Sequence, residues 1–237
     1  MNEKDFSKWI KGKHITQDAL KIIQNIRSSE PSRKVRSNGK NVRGFYPSKK
    51  MGVTIQFESH KLELAGIYEK EHDPKVIEYY DQPHSFKIKY DMPDGSKKKS
   101  VGHMYTPDFF TIEDDWIGWE EWKTEEKLIE LSQKNPNRYC KDEDGRWRCP
   151  PAEEYAKQFG LSFRIRSSKE INWIFQRNIR FLGIKDRFLS YVININAKDY
   201  KFGIITRFYN KIPRENVEDY YSEEYGFNID DDKTMFF

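Results

Sequence analysis

Asp108, Glu121 and Lys123 are the residues whose types and spacing could do chemistry. Asp108 lies in Thr106-Pro107-Asp108-Phe109, and twelve residues separate it from Glu121-Trp122-Lys123. In a strand, residues two apart share a face, so Glu121 and Lys123 emerge together while Trp122 points the other way. If the strand that carries Asp108 is an antiparallel neighbour, its carboxylate reaches that same face. Two carboxylates beside a lysine suit metal-dependent phosphodiester hydrolysis. Hard carboxylate oxygens hold Mg²⁺, the ion lowers the pKa of a bound water, and the lysine stabilises charge or positions the nucleophile. A Glu-x-Lys on a strand would by itself be an ordinary cross-strand ion pair. The Pro-Asp at hairpin distance makes the pattern specific. A further carboxylate is offered by the upstream helix, with Glu63 in Lys61-Leu62-Glu63-Leu64 and Glu58, Glu69 and Glu71 as competitors. Glu69 falls off the helical face of Glu63, so only one of those two can point at the site.

The elements that must position these groups follow from local patterning. Thr16 caps a helix whose Ala19, Ile22, Ile23 and Ile26 form one apolar stripe, stopped before Pro31. Val53–Glu58 reads as a strand, followed by a helix through Lys70. Ser85–Asp91 alternates as a half-buried strand, Pro93-Asp94-Gly95 turns, and Val101–Ile112 reads as one return strand. Trp116–Lys123 is the next strand, set off by Asp114-Asp115, and Thr124–Gln133 is helical. Asp142–Gly145 is a turn. Pro151 opens a helix that Gly160 closes, and Ser162–Ser167 is a strand. Ser167 and Glu170 make a capping box for a helix carrying Ile171, Ile174, Phe175 and Ile179. The order predicts a mixed α/β sheet flanked by helices.

Composition narrows the class. The 237 residues carry 42 Lys+Arg against 38 Asp+Glu, and 16 Phe, 14 Tyr and 6 Trp exclude disorder throughout. No apolar run approaches a membrane span, and the start lacks a secretory apolar region. Cys140 and Cys149 fit a reducing compartment; their spacing, with no local His or second Cys-x-x-Cys, argues against zinc. His14, His60, His72, His84 and His103 are too scattered to form a cluster. No P-loop, Gly-x-Gly-x-x-Gly or Ser/His/Asp pattern supports nucleotide-driven or acyl-transfer chemistry. These features predict a soluble, intracellular, globular protein. From Pro31 to Phe57 there is no acid, while Arg33, Lys34, Arg36, Lys40, Arg43, Lys49 and Lys50 supply seven cations. That segment is a candidate for DNA phosphate contact, a solvated loop being the alternative. From Arg214 onward acids dominate, which suits a solubilising or partner-binding end.

Pro-Asp followed by Glu-x-Lys on adjacent strands resembles the PD-(D/E)xK nuclease superfamily. The wider pattern is similar to the TnsA endonuclease N-terminal domain of heteromeric cut-and-paste transposases. Leu62-Glu63-Leu64-Ala65, Val76-Ile77-Glu78, Asp81-Gln82-Pro83, Tyr105-Thr106-Pro107-Asp108-Phe109, Glu120-Glu121-Trp122-Lys123 and Gly160–Ile165 carry the likeness, with Glu170-Ile171-Asn172 and Arg177-Asn178-Ile179 beyond it. Tyr105 stands where relatives often have His. The resemblance implies a restriction endonuclease-like core at 51–182, preceded by a helical and basic arm at 1–50 and followed by a C-terminal extension at 183–237. It implies Glu63, Asp108, Glu121 and the main-chain carbonyl of Trp122 as ligands of one or two Mg²⁺ or Mn²⁺ ions, with Lys123 as the catalytic lysine. The implied activity is hydrolysis of the 5′ strand at transposon ends. The implied partners are double-stranded DNA, a DDE transposase subunit and an AAA+ ATPase regulator. A stand-alone restriction or defence nuclease, and a catalytically idle DNA-binding scaffold, are the alternatives.

Overall fold

The computed structural model describes residues 1–33, 44–92 and 99–180. By compactness the chain divides into Met1–Ile179 and a second unit from Arg180 to Phe237. The second unit lies outside the described residues save for Arg180, and so does the turn at Pro93-Asp94-Gly95.

The first unit opens with α1 (Glu3–Lys11) and α2 (Gln17–Ser28). The hydroxyl of Thr16 accepts the Ala19 N–H, capping α2 as its sequence predicts. Helix α1 was not foreseen; its Asn2 side chain caps it through the Asp5 N–H. Next come β1 (Gly44–Pro47), β2 (Thr54–Phe57), α3 (Glu63–His72), β3 (Val76–Asp81), β4 (Phe86–Met92) and β5 (Lys99–Tyr105). Then follow β6 (Phe109–Glu113), β7 (Ile117–Lys123), α4 (Glu125–Lys134), β8 (Cys140–Lys141), β9 (Trp147–Arg148), α5 (Pro150–Lys157) and β10 (Ser162–Ser167). A helix, α6, covers 173–180.

The central sheet has the order β10-β7-β6-β3, with β3–β6 and β6–β7 antiparallel and β7–β10 parallel. It is a mixed α/β, nuclease-like core. Each face carries its own apolar cluster, as strand alternation requires. Phe110, Ile112, Trp119, Phe163 and Ile165 pack with α2, α4 and α5 on one face. Phe109 and Trp122 pack with Leu64, Ala65 and Ile67 of α3, and with Ile55, Phe57 and Ile171, on the other. A Cβ at Gly66 would sit 2.8 Å from the Trp122 ring, so glycine is what lets α3 come this close to β7.

Two expectations are corrected, and one strand is added. Val101–Ile112 is two strands in two sheets: β5 pairs with β4 as a separate ribbon, and β6 enters the central sheet. Pro107, which has no N–H to give a ladder, falls at the break. Strand β3 was not foreseen, although it forms the edge next to β6. The Ser167/Glu170 capping box is present but closes a single 3-10 turn, Ser168–Glu170. The helix that follows starts later, where the Asn172 side chain accepts the Phe175 N–H at 3.0 Å. Among the described residues no helix is long and apolar enough to cross a membrane.

Candidate active site

Register sets the site. Phe109 pairs with Glu120 across β6 and β7, so Asp108, just before β6, falls beside Glu121. Glu121 and Lys123 share the face of Trp119, while Glu120 and Trp122 turn to the face of α3. The Asp108 carboxylate is held by the Trp122 N–H at 2.7 Å. Its own N–H donates to the Glu120 carbonyl at 3.0 Å, and its carbonyl accepts the Gln82 N–H at 2.9 Å. Gln82 adopts φ +45°, the left-handed region that a non-glycine residue rarely occupies. Such a conformation costs of order 1 kcal/mol or more and persists where surrounding contacts enforce it. Nothing in the sequence marked Gln82 for this role beyond its place in Asp81-Gln82-Pro83.

Lys123 meets the Glu121 carboxylate directly. The other oxygen of Glu121 is buried without any hydrogen-bond partner. Glu63 opens α3, where a negative charge suits the helix terminus, and its carboxylate accepts the Glu58 N–H at 2.8 Å. Its three competitors are engaged elsewhere. Glu58 pairs with Arg33 at 2.9 Å and Glu69 with Arg166 at 3.0 Å, while Glu71 accepts from Ser48, Tyr79 and the N–H groups of Lys49 and Lys50.

The electrostatics record crowding of like charge. Removal from water, then the charges of Glu121 and Glu63, pushes the Asp108 carboxyl well above its usual range despite the opposing pull of Lys123. Burial, with Glu58 and Glu121 close by, pushes Glu63 up to about 7. Lys123 is held above its ordinary range: burial opposes its charge, but Glu121 and Asp108 outweigh that cost. One lysine does not balance three carboxylates.

Among the described residues, no three His, Cys, Asp or Glu side chains form a set that encloses a metal ion. Glu63 is turned onto the Glu58 N–H, and Glu121 onto Lys123. The donor chemistry nevertheless fits a hard divalent cation. All the donors are oxygens, one Glu121 oxygen is buried and unsatisfied, and mutual repulsion leaves the cluster short of positive charge.

The basic segment divides. Lys34, Arg36, Lys40 and Arg43 lie outside the described residues. Lys49 is exposed. Arg33 is half exposed but engages Gln82 at 2.6 Å and Glu58 at 2.9 Å. Lys50 is turned inward, its ammonium donating to the carbonyls of Lys70, Asp73 and Val76 at 2.6–2.8 Å, which closes the C-terminus of α3. Cys140 and Cys149 are free thiols, and His103 is exposed on β5.

A mixed sheet presenting an acid pair and a lysine at one end defines an α/β nuclease-like protein. Residues 73–168 match the family model described as TnsA-like endonuclease N terminal. The stretch holding Asp108, Glu121 and Lys123 is therefore a TnsA-like endonuclease N-terminal domain, whereas Glu63 lies just outside the matched residues. The match relates this domain to transposon endonucleases and, in general terms, to nuclease activity with DNA and transposase partners. No curated protein matches the chain.

Proposed function

We propose that the chain is the metal-dependent DNA endonuclease subunit of a heteromeric cut-and-paste transposase, hydrolysing the 5′ strand at transposon ends in concert with a DDE transposase. The observation that carries this reading is the convergence of Asp108, Glu121 and Lys123 on adjacent antiparallel strands of a TnsA-like segment, with Glu63 in electrostatic contact. Glu63, Asp108, Glu121 and the Trp122 carbonyl are the groups proposed to hold one or two Mg²⁺ or Mn²⁺ ions. Such an ion, when bound, supplies Lewis-acid polarisation of the phosphate and a water of lowered pKa.

The chain's own residues do the rest. Lys123 stays protonated and places a fixed positive charge beside the phosphate. The Trp122 N–H and the Gln82–Asp108 main-chain link hold Asp108 in one orientation, so little reorganisation precedes reaction. Arg33, Lys34, Arg36, Lys40, Arg43 and Lys49 are proposed to grip flanking phosphates. Lys50 of that segment contributes by fixing α3.

The test is strand cleavage on duplex DNA bearing transposon ends, in Mg²⁺, with and without the cognate transposase, for wild type and Asp108→Asn. One-strand cutting that needs the transposase and disappears in Asp108→Asn is the expected result. Site-selective cutting by the lone protein supports a restriction-type nuclease instead. Equal behaviour of wild type and Asp108→Asn in every arm leaves only a scaffold.

A further inference from the structure

The partly buried arginines Arg27, Arg164 and Arg166 come with carboxylates. Arg27 meets Glu78 at 2.9 Å, Arg164 meets Glu120 at 2.7 Å, and Arg166 meets Glu69 at 3.0 Å. Arg138 breaks the pattern. It follows α4 and retains only 9% exposure, yet no carboxylate pairs with it among the described residues, and its Nε is buried without a partner. What surrounds it is aromatic. The guanidinium lies 5.4 Å from the Tyr90 ring centroid, 5.2 Å from Tyr105 and 5.0 Å from Tyr139. Ring faces favour a cation, but they do not replace the counter-charge that a buried guanidinium loses on leaving water. An uncompensated, pre-oriented fork of N–H donors is what an anion-binding site looks like without its anion.

Its place in the fold says which anion. Tyr105 ends β5, three residues before Asp108. Its ring lies 5.7 Å from that of Phe163, which pairs with Trp119 on β7, two residues before Glu121 and on the same face. The cage therefore stands against the acid cluster. The Tyr105 hydroxyl is itself buried without a partner, giving the cage a second unsatisfied donor. Two residues before Tyr105 on the same strand, His103 is exposed, so β5 leads from the cage to the protein surface.

We propose that Arg138, in its cage of Tyr90, Tyr105 and Tyr139, is a binding site for a DNA phosphodiester neighbouring the one presented to Asp108, Glu121 and Lys123. This rests on the reading of the protein as a DNA nuclease. The site fixes the strand's register: with one phosphate on the Arg138 fork, the next can be brought to the acid cluster without a search.

The experiment is duplex DNA binding by fluorescence anisotropy over a salt series, with Ca²⁺ replacing Mg²⁺ so that binding is read without turnover. Wild type, Arg138→Met and Arg138→Lys are compared, and each protein's melting temperature is measured without DNA. Arg138→Met should flatten the log–log salt slope by about 0.9, one phosphate contact. Its melting temperature should stay level or rise, because an uncompensated buried charge is removed. Arg138→Lys keeps the charge, so it should keep the slope while losing about threefold or more in affinity with the fork. A wild-type slope in Arg138→Met overturns the site. If Arg138→Met does not fold, wild-type affinity in Arg138→Lys overturns it equally. A wild type that shows no salt-dependent DNA binding removes the nuclease reading itself. Wild-type binding with cleavage lost in Asp108→Asn, but equal slopes for Arg138→Met, removes only the Arg138 site.

Discussion

Glu120 and Glu121 are neighbours on one strand and live in opposite electrostatic worlds. Glu120 is fully buried and fully satisfied. It meets Lys70 at 2.5 Å and Arg164 at 2.7 Å, has Arg166 at 3.8 Å, and accepts the Thr111 hydroxyl at 3.0 Å. Those cations hold its carboxyl far below the usual range in spite of burial. Glu121 has Lys123 on one oxygen and nothing on the other, with Asp108 and Glu63 as like-charged neighbours. The difference separates two uses of a buried carboxylate. Surplus cations around Glu120 tie α3, β7 and β10 together. The deficit around Glu121 keeps an acceptor and a charge imbalance ready for an incoming cation.

The comparison can be broken from either side. The largest effect belongs to the deficient side. Asp108→Asn should lower strand cleavage roughly 10³-fold or more, because groups that act as a unit fail together. Its melting temperature should hold or rise as repulsion with Glu121 and Glu63 is relieved, so cleavage assays and thermal melts on one preparation check both halves. The reverse pattern should hold for Glu120→Gln. It strands Lys70 in the interior and is expected to cost about 3–5 kcal/mol by denaturant titration. Adding Lys70→Met should recover a large part of that loss; no recovery would mean that the pair does not act as a unit.

Acid titration sharpens the same contrast at Glu78, another satisfied carboxylate, bound by Arg27, the N-terminal amine and the Tyr80 hydroxyl. These partners hold its folded-state pKa below the ordinary 4.5 against the opposing effect of burial. Its contribution is therefore complete above pH 4.5 and lost as the pH falls below that value. Melting temperatures from pH 7 to pH 3 should decline more steeply in wild type than in Glu78→Gln. The smallest effect is expected for Arg166→Met. Glu120 keeps its two nearer cations, and Arg166 is partly exposed, so the loss should be about 1 kcal/mol in the same titration.

How much of this could be read from the residues depended on how far apart the partners lie in the chain. The alternation of β7 and the cap Thr16 are local signals, and they place Glu121, Lys123 and α2 without any knowledge of the fold. Strand β3 escaped because Val76-Ile77-Glu78-Tyr79-Tyr80-Asp81 does not alternate: Glu78 and Asp81 are buried polar groups with partners on α2 and β2. The division of β5 from β6 was hidden because apolar alternation runs on through Thr106-Pro107. The choice of Glu63 over Glu58, Glu69 and Glu71 was open to sequence reading only through a family likeness. The structure shows where the other three are occupied. Lys70 and Arg138 carried no local signal, since Glu120, Tyr90 and Tyr105 are distant in sequence and close only after folding.

The parallel closure of β10 on β7 also sets an order in time. Strands β6 and β7 meet through the short Asp114-Asp115 connection, whereas β10 waits for α4, the β8–β9 hairpin and α5 to be placed. Closing the longer span costs more chain entropy before any contact repays it. Glu120 and Glu121 thus share a young hairpin with Glu113, Asp114 and Asp115 before Arg164 and Arg166 arrive, and Lys123 alone opposes those carboxylates within it. Early folding of this strand is an electrolyte problem, and refolding should quicken as added salt screens that repulsion.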